Sequence, residues 1–175
     1  SYQYIRVAND FLMNITSAPV EEELKATTSA EVRFIRAMLY FDLIKRYGGV
    51  PLLTEPQDLN SDLEVPRNSL NDCFQFIIDE MNGIADDLPL NAERGKITKG
   101  AALSLKARTL LYLASPLYNE NNDASKWQQA ADAAKAIIDL GKYDLYPDLK
   151  QLWLDMSETH REIILERQYG MPDVS

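Results

Sequence analysis

The sequence predicts an all-α protein made of antiparallel helix pairs, with a long loop after the second helix. Three observations predict it. Apolar residues recur at three- and four-residue spacing in five separate runs. Several of these runs open on a Ser or Thr placed to cap a helix. No region shows the strict alternation from which a sheet is built.

The first run, residues 2–15, places Tyr4, Ile5, Ala8, Phe11, Leu12 and Ile15 on one stripe. Pro19 interrupts it, and the polar segment EEELKATTS follows. Thr28 and Glu31 fit a capping box, in which hydroxyl and carboxylate satisfy free amides, so the second helix is expected to begin there. Val32, Phe34, Ile35, Met38, Leu39, Phe41, Leu43 and Ile44 then cover more than one face. A helix that apolar is sandwiched between neighbours. Gly48-Gly49 ends it, because glycine takes the left-handed conformation that a helix C-terminus favours. Three prolines among Asp, Asn and Ser make Val50 to Pro66 a long irregular connection, and such loops are usually functional or wrapped on the surface.

The third helix opens at Ser69, with Asp72 in the box position, and carries Leu70, Phe74, Ile77, Ile78, Met81 and Ile84. After the turn LPLNAERGKI, Thr98 caps the fourth helix, KGAALSLKARTLLYLASPLYN, which Pro116 breaks. Its Ala101, Ala102, Ala107 and Ala114 allow close approach of a neighbour, while Leu103, Leu105, Leu110, Leu111 and Leu113 supply buried surface. The fifth helix opens at Ser125, with Gln128 completing an S-x-x-Q box, and ends before Gly141. KYDLYPDLKQLWLDM and EIILERQYG read as a short helix and a short strand-like run.

Helices four and five look like tetratricopeptide-repeat elements, with Trp127 near a helix start and Ala130, Ala131, Ala133 and Ala134 at packing positions. The 48–68 loop spoils the roughly 34-residue period of that repeat. The expected architecture is therefore a degenerate, interrupted tetratricopeptide-like repeat whose stacked pairs supply the core.

At 175 residues the chain is read as a single domain, residues 1–175. A net charge of −9 argues against a nucleic-acid binder, because phosphate recognition needs a basic footprint, and disfavours adsorption to anionic membranes. The single cysteine, Cys73, forms neither an internal disulfide nor a Cys-based zinc site and reads as a small buried hydrophobe. The single histidine, His160, lies beside Glu158, Arg161 and Glu162 in a surface turn, with nothing marking it as base or ligand. No apolar stretch approaches the length of a membrane span. Neither a signal peptide nor an acylated cysteine appears, and the ends look like cuts from something larger.

No constellation carries catalysis. The carboxylate pairs Asp86/Asp87, Glu21–Glu23 and Asp79/Glu80 read as solvated faces or linkers. Gly48-Gly49, Gly95 and Gly100 match no phosphate-binding fingerprint. No catalytic residue, metal ligand or cofactor is expected. Arg33 and Arg36 on the central helix, and Arg108 on the alanine-rich one, must pair or reach the surface. Asp42 and Glu31 are the expected partners; binding of an anionic ligand is the functional alternative. Aromatic rings stack on sugar rings, but Tyr40, Phe34, Phe41 and Tyr112 read as core. Trp127 matches a repeat packing position more simply than a ligand platform. Trp153, Tyr118, Tyr143, Tyr146 and Tyr169 sit near breaks, and nothing groups them into one site.

The block AEVRFIRAMLYFDLIKRYGGVPLLTEP, Ala30–Pro56, resembles the signature of the SusD/RagB family of outer-membrane nutrient-binding lipoproteins. VPRNSLNDCFQFIIDEM, GKITKGAALSLKARTLLYLASPLYN and KWQQAADAAKAIID with GKYDLY and EIILERQ resemble later family segments in the same order. The resemblance implies non-catalytic capture of glycans or other nutrients and their delivery to a SusC-type TonB-dependent transporter. It further implies an extracellular location on the outer membrane of Bacteroidetes-type bacteria, through an N-terminal lipid anchor absent from this chain. Family members are several hundred residues long, so the chain is expected to be a partial, N-terminal-half scaffold. Their glycan sites are built largely from loops around that scaffold, so no ligand residue transfers. The alternative function is a helical-repeat protein–protein interaction module.

Overall fold

The protein is described here by a computed structural model covering residues 1–58, 64–152, 154 and 161–167. Six helices follow one another: α1 (Tyr2–Ile15), α2 (Glu22–Tyr47), α3 (Leu70–Ile84), α4 (Lys99–Ala114), α5 (Ala124–Asp139) and the single turn α6 (Leu149–Leu152). The described residues contain no strand. The strand-like run expected at EIILERQYG forms no strand over its described residues, 162–167. Trp153, Glu158, His160 and Tyr169 lie outside the described residues.

From α1 to α5 each helix packs on the next, and α2 also meets α4. This is the stacked-pair arrangement of a tetratricopeptide-like repeat. One core lies between α2, α3 and α4 around Phe34, Tyr40, Ile44, Phe74, Ile77 and Met81. A smaller one joins Ile78, Leu110 and Ala114 to Ala130 and Ala133 of α5. The alanines act as expected there: with no side chain beyond Cβ, they bring the α4 and α5 backbones together.

Two helix starts differ from expectation. The second helix begins at Glu22, not at the Thr28–Glu31 box, and no side chain caps it. The residues EELKA favour helix, and Glu22 and Glu23 in the first turn suit the positive end of the helix dipole. Thr27 instead donates from its hydroxyl to the Asp87 carbonyl at 3.2 Å, tying the helix to the end of α3. At α5 the cap is Asp123, whose carboxylate accepts from the Ser125 N–H at 2.8 Å. Gln128 reaches forward to Asp132 at 2.8 Å instead of back to the cap. The Ser69–Asp72 box and the Thr98 cap form as expected.

Gly48 ends α2 with φ 70° and ψ −143°, the mirror image of extended backbone and not the left-handed helical geometry expected. That region is open essentially to glycine alone, and other residues pay about 1–3 kcal/mol to enter it. Gly49 matters for a different reason: a Cβ there would strike the carbonyl oxygen of Asn68. Asn68 cannot retreat easily, because its N–H donates to Val50 O at 3.2 Å. Gly49→Ala is therefore expected to lower the urea midpoint more than Gly48→Ala; the reverse order would show that the loop can move away.

Several apolar side chains expected inside are outside: Tyr4 is 66% exposed, Leu111 51%, Ile35 42%, Met38 39% and Tyr112 38%. Sequence spacing alone does not say where a stripe ends and which side a neighbour occupies.

Candidate functional site

The chain leaves α2 as an irregular strap, residues 50–57, held against α1 and α2. Its backbone is held by side chains from elsewhere. Tyr2 Oη donates to Pro51 O at 2.8 Å, and Leu52 N–H donates to Asn68 Oδ1 at 2.9 Å. Tyr40 Oη accepts from Leu53 N–H at 2.7 Å and donates to Leu53 O at 3.0 Å. Asn9 Nδ2 donates to Leu53 O at 2.9 Å and Glu55 O at 3.2 Å, while Arg36 Nη1 donates to Thr54 O at 3.0 Å. Every residue from Pro51 to Glu55 thus has a backbone group bound by a side chain. An irregular segment needs such partners, since it has no ladder of its own.

Behind the strap lies a buried ionic cluster. Arg36 is 5% exposed and bridges three elements: Asn9 Oδ1 of α1 at 2.7 Å, the strap, and Glu80 Oε2 of α3 at 2.9 Å. Arg33, one turn earlier, donates to Glu80 through Nε and, at 2.9 Å, through Nη2. The expected partners Asp42 and Glu31 are not the ones used: Asp42 pairs with Lys45 at 2.7 Å. Glu80 is not the solvated carboxylate its pairing with Asp79 suggested but the counter-ion of both arginines. The i, i+3 spacing placed Arg33 and Arg36 on one face; which helix faces them is a tertiary fact. Bound to Glu80, Asn9 and the Thr54 carbonyl, these arginines are register devices. Arg108, by contrast, is exposed on α4.

Burial pushes the Tyr40 hydroxyl up to about 12, and it raises Tyr2 and the Cys73 thiol as well. Cys73 is fully buried and its Sγ contacts Val50 O at 3.5 Å, so it is the inert hydrophobe expected. The tyrosine shift has a pH consequence. An unfolded tyrosine ionises near its ordinary value of about 10, whereas folded Tyr40 keeps its proton to about 12. Its contribution is complete below pH 10 and is lost as pH climbs from 10 to 12, by up to about 1.4 kcal/mol per pH unit. Tyr40→Phe should flatten that alkaline slope in denaturant titrations; an unchanged slope would assign it to other groups.

In front of the strap, between it and α1, is a cleft of about 400 Å³. Pro51, Leu53, Glu55 and Gln57 form one wall, and Tyr2, Gln3 and Arg6 the other. A shallower concavity of about 340 Å³ runs between α4 and α5, lined by Arg108, Leu111 and Trp127. Trp127 is 39% exposed there and is not the core residue expected. Tyr143 and Tyr146 are half-buried, and Tyr143 covers Gly100 at the start of α4. Tyr118 packs edge-on against Phe74 at 5.4 Å between ring centres. These rings converge on no common point.

Other carboxylates are structural or solvated. Asp86 receives Lys99 Nζ at 2.7 Å, a hydrogen bond that holds its carboxyl below the usual range. Among the described residues, no three His, Cys, Asp or Glu side chains gather as metal ligands, and no helix is long and apolar enough to cross a membrane.

Residues 1–113 match a family of SusD-like proteins described as "Starch-binding associating with outer membrane". A SusD-like protein of Bacteroides ovatus is 28% identical over 173 residues, covering 96% of this chain and 31% of the relative. Among solved structures, a SusD-like protein of Bacteroides fragilis superposes with a TM-score of 0.84 at 32% identity, over 99% of this chain and 34% of that one. A laminarin-binding SusD-like protein superposes with a TM-score of 0.81 at 25% identity, over 94% of this chain and 35% of that one. The chain thus spans about a third of the length of the proteins it matches.

Proposed function

The chain belongs to the SusD-like family, and from that membership we propose that it is the helical scaffold of a non-catalytic, cell-surface glycan- or nutrient-binding protein. The longer protein captures oligosaccharides outside the cell and passes them to a SusC-type TonB-dependent transporter, held at the outer membrane by an N-terminal lipid anchor. The observation that carries this reading is the family match over residues 1–113, joined by the structural likeness to a laminarin-binding relative. The physical chemistry of the chain agrees with a scaffold. Its most elaborate polar cluster is spent on holding helices and strap together.

A protein–protein adaptor would use the groove between α2 and α4. That groove is already bordered by the chain's own 162–165 segment, whose Ile164 packs into the main core. Arg94 and Glu166 pair across the same segment, with Arg94 Nη2 donating at 2.9 Å. Self-occupation weighs against the adaptor reading.

Calorimetric titration of the longer protein with starch- and laminarin-derived oligosaccharides tests the proposal. Saturable binding with no sugar release over prolonged incubation is expected, as is co-purification of a TonB-dependent transporter from detergent-extracted outer membranes. An intact, folded protein that binds no saccharide would overturn it. The 175 residues alone are expected to bind more weakly than the longer protein, because they hold only part of its surface.

A further inference from the structure

Extended backbone turns alternate side chains to opposite sides, and the strap follows that rule from Pro51 to Leu53, ahead of the bend at Glu55. Pro51, Leu53, Glu55 and Gln57, every second residue, line the cleft toward α1. The intervening Leu52 packs on the core cluster instead. Meanwhile the strap's peptide groups are fixed by Tyr2, Asn9, Arg36, Tyr40 and Asn68. Backbone position and side-chain identity are thereby separated: the helices hold the first whatever the strap's second-position side chains are.

We propose that this cleft is a saccharide subsite, and that Glu55 and Gln57 of the strap with Gln3 and Arg6 of α1 are its selecting contacts. The proposal rests on the glycan-binding reading above and adds a place on this chain. The cleft's size, about 400 Å³, is that of a small-ligand site. Its floor of Ile5, Leu53 and Pro51 is apolar, as the C–H face of a sugar ring requires. Its rim mixes the kinds of group that hydroxyls need. The amides of Gln3 and Gln57 each donate and accept, Arg6 donates and Glu55 accepts. Asp10 already offsets Arg6, so the rim carries no surplus positive charge with which to favour an anion over a neutral polyhydroxy ligand. Arg6 is held only loosely, 3.9 Å from Asp10, and is free to turn toward a ligand. Asn9, although it lines the cleft, is not a contact: its amide is spent on Leu53, Glu55 and Arg36. It positions the strap.

The test is residue-resolved TROSY NMR on the deuterated, isotope-labelled longer protein, titrated into the millimolar range with maltohexaose and, separately, laminarihexaose. The expected result is weak, fast-exchange binding of at least one of them, with shifts on Leu53, Glu55, Gln57, Gln3 and Arg6. Gln57→Ala and Gln3→Ala should each weaken it about tenfold without moving the melting temperature, since neither side chain bonds within the fold. Shifts confined to another surface, such as the Trp127 concavity, would overturn the subsite while leaving glycan binding by the family scaffold intact. Absence of any shift with either sugar would also overturn it. The separate calorimetric titration then decides whether the glycan reading itself survives.

Discussion

Replacing Glu80 with alanine is expected to cost about 3–5 kcal/mol of stability, because it strips the counter-ion from buried Arg36 and half-buried Arg33. For a chain of this size that corresponds to a fall of roughly 10 °C in melting temperature. The loss is larger than for a surface ion pair because Arg36 cannot rehydrate. Its side chain is 7% exposed and is locked between Asn9, Thr54 O and the ring of Phe76, whose centre lies 5.7 Å away. Its Nε has no partner even with Glu80 in place, so the site is already at the limit of what it can satisfy. Urea denaturation measures the effect. A loss below about 1 kcal/mol would mean that the cluster is solvated and behaves as an exposed pair. A second variant separates charge from packing. Glu80→Leu combined with Arg36→Met removes the buried pair and leaves Arg33, whose side chain is 31% exposed, to water, so it should recover much of the loss if desolvation dominates.

Phe41→Ala should be of similar size, about 3–5 kcal/mol, as deletions of buried rings are. Phe41 is 3% exposed, stands edge-on to Tyr112 with centres 5.2 Å apart, and lies beneath Lys45 Nζ at 4.9 Å. The α2/α4 groove beside it admits some water or relaxation, which places the effect toward the lower end of that range. Thermal melts of the variant decide the matter, and an unchanged melting temperature would remove α2 from the centre of the fold.

Both experiments probe α2, and α2 shows how much of the fold could be read beforehand. Its apolar run, its glycine end and the irregular segment beyond were legible, because spacing and backbone preference are local properties. So were the Ser69 box, the Thr98 cap and the burial of Cys73. The Glu22 start was missed because a good capping box at Thr28 competes with strong helix formers ahead of it, and cooperativity favours the longer helix. Trp127 is exposed because a repeat position predicts burial only if a further helix covers it, and none of the described residues does so; Tyr112 lies at the edge of an apolar helix whose covered face the spacing does not define.

The candidate site was less legible still. The Val-Pro segment announced a break in the helix, but not that five consecutive residues would be held by Tyr2, Asn9, Arg36, Tyr40 and Asn68. Those side chains come from positions up to 49 residues away in the chain. Nothing in Asp79-Glu80 distinguishes a solvated carboxylate from the counter-ion of two arginines.

By itself, then, the sequence determined the all-α class, the order of the helices, the caps of α3 and α4, the glycine end of α2, and the family. Each rests on periodicity, on φ/ψ preference or on motifs contiguous in the chain. Only the tertiary structure decided that Glu80 neutralises Arg33 and Arg36, that the strap is clamped, and that its alternate side chains face a cleft. Those outcomes depend on which helix faces which, and helix pairing is set by the packing of distant surfaces that no local spacing records.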